Sequence, residues 1–280
     1  MIYAVGVDIS IGFSKDKYYF RYKGVNFKYV PQYMNDETDD LVCEIPKGKT
    51  QPEIYELITE FITAFAFANN AKASIQGGIV VHNPVKLIDS RIRSSQKRFI
   101  NVSESMDDFC KISLLQTEDQ IQLARLYQEA FSANNVYLKI LFFWHCLIYP
   151  NSDEKKAVKY IDDFVNNLPK ELMYISDSIN RFTSNKVFLS DKKNDVGVGE
   201  YVKNSIRHSI AHIVRKPGYG IDLKLDSWEQ IQHLHDIELF MRAIARYRLE
   251  KDYDMGASND VKVFCYIDEN NLKEKNIEVC

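Results

Sequence analysis

The stretch "TEDQIQLARLYQEAFSANNVYLKILFFWHCLIY", residues 117–149, is where the pattern of the chain changes. Thr117 stands where an N-cap belongs, because its hydroxyl can accept from an amide that a helix start leaves unsatisfied. "NVYLKILFFWHCLIY" is apolar nearly all round, which predicts a central core helix. Its longest apolar run, residues 138–149, is too short to span a bilayer. Downstream, "SDEKKAVKYIDDFVNNLP" opens with Ser152 or Asp153 as a cap and stops at Pro169. "ELMYISDSINRF" predicts a shorter helix. "DSWEQIQHLHDIELFMRAIARYRLEKDYD" has Ser227 at its N-cap position and predicts a helix of about six turns. Between the last two lies a polar connector, "KVFLSDKKNDVGVG". "DVKVFCYI", from residue 260, predicts a short returning strand.

Upstream of residue 117 the period is different. "MIYAVGVDI", "KYYFRYKGVNFKYV" and "TDDLVCEIP" are rich in Val, Ile, Tyr and Phe and partly alternate, which predicts strands. The glycine of "YKGVNF" offers a hairpin turn. "QPEIYELITEFITAFAFANNA" then places Ile54, Leu57, Ile58, Phe61, Ile62 and Phe65 at helical spacing, with Pro52 suited to a first turn. "IQGGIVVHNPV" returns to strand character. The fold class expected is α+β, with a mixed α/β region of unassigned role over 1–113 and a helical domain with a short terminal strand over 114–280.

Composition narrows the function. A hydrophobic fraction of 45% supports a sizeable core in 280 residues, and 17 Tyr with 16 Phe favour order. A net charge of −3 excludes a generic polyanion binder, so any nucleic-acid contact needs a local basic patch. The most basic run is "KLIDSRIRSSQKRF", with Lys86, Arg91, Arg93, Lys97 and Arg98 against Asp89. It reads as a solvated loop or as a phosphate-contacting surface. The 5 cysteines are odd in number and form no CxxC, which excludes a disulfide framework and a zinc finger and fits reduced thiols in the cytoplasm. The start, "MIYAVGVDIS", carries Asp8 and no basic stretch, unlike a signal peptide.

The chemistry-bearing stretch is "YVKNSIRHSIAHIVRKPGYG", residues 201–220. Projected as a helix, Val202, Ile206, Ile210, Ile213 and Val214 form one apolar stripe. Asn204, Arg207, His208, His212 and Arg215 fall on the other side. A plain amphipathic surface helix explains the stripe but not the choice of polar residues. His208 and His212 are four apart, as in zinc sites of the H-E-x-x-H type. Here, however, Ser209 follows the first histidine, and the nearest further ligands are His233, His235 and Asp236 on the next helix.

"RHSIAH" resembles the hallmark of the HEPN superfamily: an arginine, four residues, then a histidine, on a late helix of an all-α bundle. The resemblance covers residues 117–252. It implies metal-independent endoribonuclease activity with no cofactor, in which the RNA 2′-hydroxyl attacks the adjacent phosphate. His212 would be the acid/base and Arg207 the clamp on the phosphorane oxygens, with His208 positioning the site or sharing proton transfer. Lys203, Asn204, Arg215 and Lys216 would bind substrate, and Tyr219 would stack on a base. The resemblance further implies RNA as partner, a homodimer with a composite active site, no membrane, an antitoxin or regulatory protein, and a role in toxin–antitoxin or anti-phage defence. On an ideal helix Arg207 and His212 lie about 140° apart, so a dimer or a helix end is needed to bring them together. The division into an α/β part and a helical part also resembles MauJ-like methylamine-utilisation accessory proteins.

Three other readings compete. "AVGVDISIGFSK" resembles the first phosphate loop of actin-like ATPases, but the partner motifs are missing. Cys146 neighbours His145, yet adjacent helical residues diverge by about 100° and the run is core-like, which argues against a cysteine nucleophile. The third is a non-catalytic RNA-binding or protein-interaction module, in which Arg207 and His212 make structural hydrogen bonds.

Overall fold

The structure, a computed structural model, describes residues 1–13, 17–32, 37–81, 87, 99–100, 104–106, 112–184, 197–207, 228–256 and 260–261. It is α+β and divides into two compact units. One comprises Met1–Thr117 with Met255–Cys280, the other Glu118–Asp254.

In the first unit the strands expected from the sequence form a five-stranded antiparallel sheet. Its members are β1 (Ile2–Ile9), β3 (Tyr18–Tyr22), β4 (Val25–Val30), β5 (Asp39–Glu44) and β6 (Ala73–Val81), in the order β3-β4-β5-β1-β6. The β3–β4 hairpin turns at Lys23 and Gly24, with φ of 44° and 80°. Both are left-handed, as a turn matched to the strand twist requires, and the second position needs glycine for that reason. The short strand β2 (Ile11–Phe13) pairs with β7 (Glu104–Met106). The expected terminal strand is present as β9 (Asp260–Val261), paired with β8 (Ile112–Ser113) inside this unit.

Helix α1 (Gln51–Asn69) covers one face of the sheet. Its start is a capping box: Glu53 N donates to the Thr50 hydroxyl at 3.5 Å, and Thr50 N donates to the Glu53 carboxylate at 2.7 Å. Phe61 stacks on Phe20 at 4.7 Å, and Phe65 meets Phe13 at 6.1 Å. Strand alternation turns Ile2, Ala4 and Val42 to the opposite face, where they cluster with Leu87. Asp8 is fully buried and accepts from Phe99 N at 2.6 Å and Ile100 N at 2.9 Å.

The second unit is helical. It contains α2 (Glu118–Ser132), α3 (Val136–Ile148), α4 (Glu154–Asn166), a 3-10 turn (Lys170–Ile175) leading into α5 (Ser176–Ser184), α6 (Val198–Tyr201), and α7 (Trp228–Asp252). Asn135 caps α3 by accepting from Tyr137 N at 2.8 Å, and Asp153 caps α4 by accepting from Lys156 N at 3.0 Å. Phe143 and Trp144 on α3 and Ile237, Phe240, Met241 and Ile244 on α7 are completely buried. The α3 prediction holds for its centre but not for its first turn, where Leu138 is 46% exposed.

Arg248 of α7 locks the end of α3. Its guanidinium donates to Cys146 O at 2.6 Å and Tyr149 O at 3.0 Å, placing a cation where the helix dipole is negative. Cys43 and Cys146 are free buried thiols, and burial pushes both up to about 12. That makes Cys146 inert, as its core-like surroundings predict. Among the described residues no helix is long and apolar enough to cross a membrane. The basic run Lys86, Arg91, Arg93, Lys97 and Arg98 lies outside the described residues.

Candidate functional site

The described segment that leads into the histidine-bearing stretch, residues 197–207, has two glycines near its start. Gly199 packs against the backbone of α4 so closely that a Cβ there would lie 2.3 Å from Val158 O. Its N–H donates to Asp162 Oδ1 at 2.8 Å, so α4 fixes where α6 starts. From Val202 to Arg207 the chain is wound as a π-helix, a form rare in proteins and frequent at functional sites.

On this segment Tyr201, Val202, Ser205 and Ile206 are buried, which agrees with the expected apolar stripe for Val202 and Ile206 and adds Ser205. The polar residues lie on the other side but are more enclosed than on an open amphipathic surface. The side chains of Lys203 and Arg207 are only 18% and 19% exposed. Each has an acidic partner. Arg207 Nη2 lies 2.9 Å from Glu154 Oε1 at the start of α4. Lys203 Nζ lies 3.6 Å from Glu200, and Asn204 Nδ2 donates to the same carboxylate at 2.6 Å.

His145, half-buried in the last turn of α3, stands within electrostatic reach of Arg207. Burial first, and the Arg207 charge second, hold its imidazole below the usual histidine range, so it is neutral at pH 7. A neutral imidazole near a carboxylate-bound arginine can exchange protons and accept or donate a hydrogen bond.

His208, His212, Arg215, Lys216 and Tyr219 lie outside the described residues, so the structure brings together only Lys203, Asn204 and Arg207 of the expected set. Three partners were missed. Glu200 was findable, because i,i+3 and i,i+4 spacing to Lys203 and Asn204 is a recognised helical pairing. Glu154 and His145 carry no local signal, since both reach Arg207 only through folding.

Of the residues considered as further zinc ligands, His235 is exposed, while His233 and Asp236 are engaged elsewhere. His233 is buried at 1% exposure, and its Nε2 lies 2.6 Å from the Tyr201 hydroxyl. Burial pulls it down to about 4. Asp236 pairs with Arg181 at 2.9 Å. Among the described residues no group of three or more His, Cys, Asp or Glu is placed to hold a metal ion.

No curated protein and no solved structure matches the chain. Residues 123–250, most of the helical unit and a little under half of the chain, match a family described as "Methylamine utilization protein MauJ". Over that span the chain is similar to the MauJ family, which supports the second of the two resemblances read from the sequence.

Proposed function

We propose that the helical unit is a HEPN-like, metal-independent endoribonuclease that cleaves RNA by 2′-hydroxyl attack. In this reading Arg207 binds the phosphate, His212 transfers the proton and His208 assists. Lys203, Asn204, Arg215, Lys216 and Tyr219 hold the substrate, and two copies pair to complete the site. The observation that carries the reading is the setting of Arg207. It ends a π-wound segment, and its guanidinium is oriented by Glu154 at 2.9 Å instead of swinging in solvent. A fixed, planar arginine suits charge that develops on a phosphorane. A toxin or anti-phage defence role, with an antitoxin or regulatory partner in the cytoplasm, follows from the resemblance.

A second reading is a non-catalytic RNA-binding or protein-interaction module. It is favoured by the acidic partners of Arg207, Lys203 and Asn204, an arrangement that internal struts also show. The matched family's description also refers to methylamine utilization and not to a nuclease.

The deciding experiment is cleavage of structured and unstructured RNAs by purified protein in EDTA, with wild type beside His212→Ala and Arg207→Gln. Circular dichroism checks that each variant is folded. Cleavage by wild type, lost in both folded variants, is the expected result. Absence of cleavage by wild type across the RNA set would reject the nuclease in favour of the module.

A further inference from the structure

We draw no further inference here: the strongest candidate, the uncharged edge strand β6, which among the described residues pairs with β1 alone and leaves Ile79 43% exposed, is broken by an irregular register at Gly77, and nothing in the structure shows what covers it.

Discussion

Gly199→Ala is the substitution whose effect the structure fixes most closely. The added methyl would lie 2.3 Å from Val158 O and 2.9 Å from Val158 C, both backbone atoms of α4. A helix carbonyl cannot rotate aside, so α6 must retreat by roughly 1 Å to restore ordinary contact. Overpacking of this kind costs about 1–3 kcal/mol. The retreat also stretches the 2.8 Å bond from Gly199 N to Asp162, and a hydrogen bond to a charged acceptor contributes about 1.5–3 kcal/mol. Against this, alanine restricts the unfolded chain and favours helix by about 1 kcal/mol. The net expectation is a loss of about 2 kcal/mol, or a fall in Tm of about 4–8 °C. Gly197→Ala separates the two contributions, since its methyl would meet the Asp162 carboxylate at 2.8 Å, and the side-chain rotation that relieves this gives up the bond from Gly199 N without pushing α6 off the α4 backbone. Urea unfolding followed by far-UV circular dichroism measures both. If Gly199→Ala is as stable as wild type, or Gly197→Ala is the worse of the two, the close approach of α6 to α4 is not what positions the Arg207 segment.

Two further outcomes are expected. Arg248→Met removes both guanidinium bonds to the end of α3 and should cost about 2 kcal/mol, read as a lower urea midpoint with unchanged slope; an unshifted midpoint would mean the lock is not formed. For His233 the sign follows from a folded value of about 4 against about 6.5 unfolded. The unfolded chain binds the proton first, so stability from this group is complete above pH 6.5 and falls by about 3 kcal/mol toward pH 4. His233→Gln should flatten the stability profile across that window, and an unchanged slope would refute the buried neutral histidine.

By itself the sequence determined the element types. Alternation gave β1, β3, β4 and β5, the 3.6 period gave α1, and caps, breakers and apolar runs gave α2 to α5 and α7, because these patterns record where a helix can start and which side chains must leave water; α6 begins in the stretch expected to be a polar connector. The helical projection also placed Asn204 and Arg207 on one polar face, since their spacing along a helix is local. Tertiary structure alone decided what surrounds them. Glu154 is 53 residues from Arg207 and His145 is 62, and no periodicity links positions so far apart. The π winding of Val202–Arg207 was likewise invisible, because its residues are ordinary helix formers and the winding belongs to a segment whose start is pinned to α4 through Gly199 and Asp162. Pairing charges across separate helices is a property of packing, so whether Arg207 is a strut or a phosphate clamp depends on neighbours that only the folded chain supplies.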